Sequence, residues 1–336
     1  MKIPQKYKAT AKITKLLATI EANKEVIDSI SIPVEIEENI RRESSLGSAL
    51  FSARIEGNTL TLGEIGSFAE LSVDDKRKVE VGNLFKAIGS VLEKFSRRKT
   101  ISQEDLLNLH KETMKNIMDK KFSGKFREAH EGIFDSSGNL IYHAPPPSMV
   151  PDLFNKLVDF INSPKEESVP IRAALAHLSF EEIHPFVDGN GRVGRLLQLG
   201  VLVSGGYGMK GLVFPEELID QNRKSYYHAI EYSRDDGHAT DFVELMLEFL
   251  AESSTKARKT IKEKQDHPSS WDILLPRRKE IMQIVSEQKL VSHDFLHRRF
   301  LKVPERVISY DIQCLIKDGY LVKIGKTRGA LYSIRS

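Results

Sequence analysis

At 336 residues with 40% hydrophobic content, the chain has room for two or three domains with real cores. A single cysteine, Cys314, excludes an intrachain disulfide and any cysteine-rich metal site. No apolar run approaches the roughly 18 residues of a membrane span and no leader pattern follows Met1, so a soluble cytoplasmic protein is expected; the net charge of +3 says little until it is divided by region.

Residues 1–100 read as helical with polar connectors. Leu46, Ala49, Leu50, Ala53 and Ile55 recur at helical spacing and Gly57-Asn58 is a C-terminal stop, which predicts a helix over about 44–57. Ser52 and Glu56 are four apart and therefore share a face. Taken alone, this is an ordinary amphipathic helix with a solvated glutamate.

The next region, 101–250, opens with a capping box, Ser102 with Asp105, starting a helix to about Met118. After the polar run Phe122–Glu128, Asp135–Asn139 is a turn signal. Residues Ile133–Ala144 read as a hairpin, and Pro145–Pro147 keep its second strand at an edge because proline donates no ladder hydrogen bond. His143 in this stretch reads as a surface residue. From Pro151 onward the periodicity is helical.

Between the apolar helical runs Ile171–Ile183 and Leu196–Val203 lies His184-Pro185-Phe186-Val187-Asp188-Gly189-Asn190-Gly191-Arg192-Val193-Gly194-Arg195. Pro185 and the glycine pair forbid one continuous helix, so a helix, a tight loop and a second helix are predicted. Gly189 and Gly191 allow main-chain N–H groups to turn inward as an anion-binding nest, and the dipole of the second helix adds positive potential there. Arg192 and Arg195, three apart, can both reach phosphate oxygens. Asp188 offers a hard oxygen suited to Mg²⁺ beside nucleotide phosphates. His184, near neutral pKa, can accept a proton from a hydroxyl.

This stretch resembles the signature of the Fic family, His-Pro-Phe-x-Asp/Glu-Gly-Asn-Gly/Lys-Arg-x-x-Arg, and fills every fixed position. The resemblance implies a mainly helical core and transfer of AMP from ATP to a hydroxyl side chain of a protein. It implies His184 as general base, Asp188 as Mg²⁺ ligand, Asn190 as a phosphate contact, Gly189 and Gly191 as the nest, and Arg192 and Arg195 on the triphosphate. With the loop in hand, Ser52-x-x-x-Glu56-Gly57 resembles the family's inhibitory motif ahead of the core, which implies that Glu56 pairs with Arg195 where the γ-phosphate must sit. The hairpin is similar in place and character to the family's flap, which implies that Ile141, Tyr142 and His143 hold the target by strand addition; a hairpin that only covers the core reads the same. Tyr226 and Tyr227 have the spacing of core packing, but also resemble the family's tyrosine pair on the adenine side, with Arg234 near the base.

Residues 251–270 hold few apolar side chains and end in His267-Pro268-Ser269-Ser270, a charged helix tail running into a linker. Residues 271–336 hold 13 Lys/Arg against 7 Asp/Glu, a net of +6 that leaves −3 for residues 1–270. Helical patterns cover Pro276–Ser286, Ser292–Phe300 and Pro304–Asp318. Tyr320–Ile324 and Ala330–Ile334 read as strands joined by a basic turn. Three helices and a hairpin make a winged helix-turn-helix, with Arg306, Ser309 and Tyr310 toward a groove and Lys326 and Arg328 on the wing. Such modules also serve dimerisation or protein docking. Cys314 falls in an apolar helical run and reads as a buried thiol.

The expected fold is thus mainly α: a Fic-type helical core with a hairpin flap (101–250), an N-terminal helical region (1–100), a charged tail (251–270) and a winged helix (271–336). The expected activity is that of a protein adenylyltransferase using ATP and Mg²⁺ and held back by Glu56, with self-association as one way to tune that inhibition. Open alternatives are transfer of another phosphate-linked group, removal of AMP, or a DNA-binding regulator whose core senses a nucleotide.

Overall fold

The computed structural model describes residues 2–65, 75–134, 140–163, 168–236, 238–266, 270–300, 303–325 and 329–335, with backbone alone at 133–134, 140–141, 234–236 and 270. At its centre lie two helices, α6 (Val169–Ile183) and α7 (Asn190–Ser204), each with 13 of 15 residues buried. They approach closely at Gly194, where a Cβ would stand 2.5 Å from the Glu181 carboxylate. That burial on all sides is what an apolar run without an amphipathic stripe requires.

Around this pair pack α1 (Ala11–Ser29), α2 (Val34–Ile55), α3 (Lys76–Arg97), α4 (Gln103–Thr113), α5 (Val150–Ile161), α8 (Glu216–Gln221), α9 (Arg223–Asp236) and α10 (Thr240–Asp266). The capping box at α4 forms as expected, Ser102 Oγ accepting from the Asp105 amide at 3.2 Å and Asp105 accepting from the Ser102 amide at 2.8 Å. The helix ends at Thr113 rather than Met118, since Asn116 turns to a φ of 61°. Strands β1 (Gly132–Phe134) and β2 (Leu140–His143) form the antiparallel hairpin, pairing Gly132 with His143 and Ile133 with Tyr142. The turn at Asp135–Asn139 lies outside the described residues.

Residues 251–266 are less of a free tail than their composition suggests. They form the second half of α10, with Ala251, Ser254, Ala257 and Ile261 buried. Asn23 of α1 donates to Ser254 Oγ and Thr255 Oγ1, each at 2.9 Å. Charge covers one face only, and the small residues on the other allow α1 to lie close.

The C-terminal region contains α11 (Pro276–Gln288), β3 (Val291–Ser292), α12 (His293–Arg299), α13 (Glu305–Lys317), β4 (Leu321–Ile324) and β5 (Leu331–Ile334). The sheet order is β3-β5-β4, antiparallel throughout. The two-residue β3 was not visible as a strand. The region has its own apolar cluster, including Ile281, Val285, Leu296, Ile308, Ile312 and Leu321. Cys314 is half-buried rather than enclosed. The region docks on α2: Asn39 donates to the main-chain oxygens of Asp272 and Leu274, the latter at 3.2 Å, and Lys279 lies 3.9 Å from Glu43. No helix among the described residues is long and apolar enough to cross a membrane.

Candidate active site

The site forms where α6 ends. His184 caps that helix in the left-handed region, φ 48° and ψ 60°, with its N–H still bonded to Phe180 O at 3.0 Å. A non-glycine residue there costs roughly 1–3 kcal/mol and persists only when its surroundings over-determine it. Asn190 supplies part of that restraint. Its side-chain oxygen accepts from the Phe186 amide at 2.9 Å and its NH₂ donates to Phe186 O at 2.8 Å, closing the loop on itself. The buried Asn190 side chain is thus committed to Phe186, which leaves its backbone N–H at the start of α7.

Further restraint comes from His110 on α4, which sequence reading passed over. Its Nδ1 accepts from the Gly124 amide at 2.8 Å, which leaves Nε2–H to donate to Asp188 O at 3.0 Å. The ring stacks on Phe186 with centroids 3.8 Å apart. Burial lowers the pKa of His110, consistent with that neutral tautomer. Gly189 has a φ of 86°, and a Cβ on it would come within 2.7 Å of Met114 Sδ. Glycine is required there for both reasons.

From the first turn of α7 the two arginines diverge. Arg192 donates to Glu80 of α3 at 2.5 Å and to Asp188 at 2.7 Å. Glu80 was also missed, because a single glutamate in the charged run opening α3 carries no signal. Arg195, 3% exposed, reaches the end of α2. Its Nε donates to Ser52 Oγ, and its Nη2 to both Ser52 O and Glu56 Oε1, all at 2.9 Å. Burial opposes the charge of Arg195, but Glu56 opposite more than offsets this and raises its pKa. Its Nη1 is buried with no hydrogen-bond partner among the described residues. Gly191 permits this meeting: a Cβ there would stand 2.3 Å from Glu56 Oε1. Glu56 itself caps α2, and Gly57 follows at a φ of 97°.

The tyrosine pair is split. Tyr226 is 1% exposed and its hydroxyl meets His177 Nε2 at 2.8 Å, which is the core packing its spacing also allowed. His177 is completed by Gln198 Oε1 at 2.6 Å from Nδ1, and burial holds its pKa down to about 3. Tyr227 is 47% exposed beside the site, with its pKa pushed up to about 12 by partial burial and then by the charge of Glu56. The side chains of Arg234 and Ile141 lie outside the described residues. His143 is exposed on β2, and Tyr142 donates to Glu182 O at 3.2 Å.

Asp188 is the one acidic side chain at the loop with a largely open carboxylate, its side chain 57% exposed. One of its oxygens is taken by Arg192, and a carboxylate with this exposure fits Mg²⁺, which takes one or two carboxylates and completes its shell with water and phosphate oxygens.

Comparison with known proteins is consistent with this geometry. The sequence model of the Fic/DOC family matches residues 100–202. The protein adenylyltransferase Fic of Drosophila willistoni is 29% identical over 251 residues, covering 71% of this chain and 46% of that protein. The corresponding protein of Drosophila mojavensis is 28% identical over the same length and coverage. The chain therefore spans about half the length of the curated relatives it matches. A Fic family protein of Desulfovibrio desulfuricans superposes with a TM-score of 0.66 at 24% identity, over 99% of this chain and 98% of that one. Fic-1 of C. elegans superposes at 0.57 and 20% identity, over 77% and 74%. These structural likenesses show a common fold.

Proposed function

From the premise that the chain is a Fic-domain protein, we propose that it is a protein adenylyltransferase moving AMP from ATP to a Ser, Thr or Tyr hydroxyl of a target protein. The observation that carries this is Arg195: a buried guanidinium at the first turns of α7, held by a partly exposed glutamate, with its Nη1 uncommitted among the described residues. Such a fork suits a terminal phosphate, and the N–H groups at the start of α7 suit the phosphates before it. His184 takes the hydroxyl proton. The hydroxyl oxygen bonds to the α-phosphorus as the bond to diphosphate breaks, and diphosphate leaves. Positioning and charge stabilisation supply the acceleration. Mg²⁺, when held by Asp188, neutralises phosphate charge.

Glu56 opposes this. Its carboxylate takes the position on Arg195 that a γ-phosphate needs, so ATP enters with its phosphates misaligned and the resting enzyme is autoinhibited. Support comes from the hydrogen bond to Arg195 at 2.9 Å and from Ser52 holding the same guanidinium. ATP labelled on the α-phosphate, incubated with lysate, tests both points. Label on protein is expected with Glu56→Gly, little with wild type and none with His184→Ala. No α-label in any sample overturns the reading.

A second reading concerns the C-terminal region, whose helix and strand order supports a winged helix. Arg306 and Tyr310 are exposed on α13, and Arg278 lies 5.8 Å from the Tyr310 ring, a surface that suits a DNA backbone. Ser309 is engaged with His293 at 2.7 Å, while Lys326 and Arg328 lie outside the described residues. A shift of random duplex at low salt tests it; none at micromolar protein favours protein docking.

A further inference from the structure

The mechanism above assigns no task to Arg127, yet this side chain is 2% exposed and, among the described residues, its guanidinium donates to main-chain carbonyls. Its Nε donates to His184 O at 2.8 Å and its Nη1 to Ala129 O at 3.0 Å. Its Nη2 donates to Pro145 O at 2.6 Å and, more distantly, to Ile183 O at 3.4 Å. The Arg127 amide donates in turn to Pro185 O at 2.9 Å.

These carbonyls belong to two different pieces of the molecule. Ala129 and Pro145 flank β1 and β2, so one planar group spans both sides of the hairpin neck. Ile183, His184 and Pro185 are the turn that carries the proposed base in its left-handed conformation. A guanidinium is suited to this because its five donors are fixed in a plane, whereas an ammonium presents a compact point charge. A second tie runs in parallel, from the Tyr142 hydroxyl on β2 to Glu182 O.

We propose that Arg127 is a positioning residue that fixes the hairpin neck and the main chain of His184 to one anchor, so that a target segment laid along β2 arrives in register with the base. Its meaning for catalysis rests on the adenylyltransferase reading; the tie itself does not. The residue acts through His184 and through the hairpin, without touching nucleotide. Its loss therefore lowers the rate at saturating ATP and leaves nucleotide binding alone.

Two measurements on the full chain test this. In a Glu56→Gly background, Arg127→Lys is expected to lower the maximal labelling of lysate protein by α-labelled ATP roughly ten- to a hundredfold, the scale of a small misplacement of a reacting group. The KM for ATP should stay within about twofold. An unchanged rate, or a KM for ATP that rises in step with the rate loss, overturns the proposal. The second measurement is amide exchange in the same variant, which needs no turnover. Exchange should quicken together at Ala144, bonded to Glu131 O, and at His184, bonded to Phe180 O, by about tenfold or more, while Val201 within α7 is unchanged. Quickening at neither, at only one, or equally at all three overturns it. Should the Glu56→Gly parent transfer no α-label, the adenylyltransferase reading fails and the exchange result still decides the role of Arg127.

Discussion

Two buried arginines, Arg195 and Arg277, each face a carboxylate, and the two pairs are built differently. In the C-terminal region Arg277 and Asp311 are each 1% exposed, Arg277 Nε meets Asp311 at 2.5 Å and Arg278 takes the other oxygen at 2.9 Å. At the active site Arg195 is as deeply buried, but Glu56 opposite keeps 28% of its side chain exposed and Arg195 Nη1 is left over. The first arrangement is closed, with the acid enclosed between two cations. The second is open on one side, and an anion arriving from solvent can compete for the cation. Burial of the arginine is common to both; exposure of the acid separates a closed brace from the gate proposed for Glu56.

Removing each acid should expose that difference most strongly. Asp311→Ala removes the carboxylate shared by two guanidiniums, one of them fully enclosed, and should cost about 3–5 kcal/mol, read as loss of C-terminal stability by chemical denaturation. Glu56→Gln keeps the shape at the site and removes the charge. It should raise α-label transfer on the order of tenfold, the worth of one charge-assisted hydrogen bond, and cost little stability. If Asp311→Ala proves harmless, or Glu56→Gln destabilises as much as Asp311→Ala, the distinction collapses.

The site also rests on neutral imidazoles. Folded His177 stays neutral to about pH 3, whereas the unfolded chain protonates near 6.5. Between those values the unfolded state binds the extra proton, so stability falls as pH falls, by up to about 1.4 kcal/mol per pH unit. Denaturation at several pH values between 6.5 and 4 should show this slope in wild type and a shallower one in His177→Gln. The smallest effect belongs to Tyr227→Phe, whose hydroxyl lies 3.5 Å from Ile55 O. Its stability should change by less than about 0.5 kcal/mol.

The signature loop was legible because its residues are consecutive and each has a separate chemical reason to be there. Ser52 and Glu56 were legible through their four-residue spacing together with the loop. Glu80, His110 and Arg127 were not, since each acts on the loop from another element and its neighbours in sequence say nothing of that. Asn190 is the opposite case: the residue stands out in the sequence, while the turn its side chain closes does not. Tyr226 and Tyr227 follow each other in the chain, and helical geometry turns them about 100° apart, one into the core and one to the surface. The length of α10 was obscured by charge, which reports only the face that meets water.

Helix α2 is a single rod of 22 residues, about 33 Å long. At Asn39 and Glu43 it bears the C-terminal region, and at Ser52 and Glu56 it meets Arg195. A rigid rod has one tilt, so the angle at which Glu56 addresses Arg195 is shared with contacts about 20–25 Å away along the axis. Under the proposed role of Glu56, the resting rate then becomes a quantity that substitutions at the far end of the rod adjust by degrees, with every residue of the candidate site left in place.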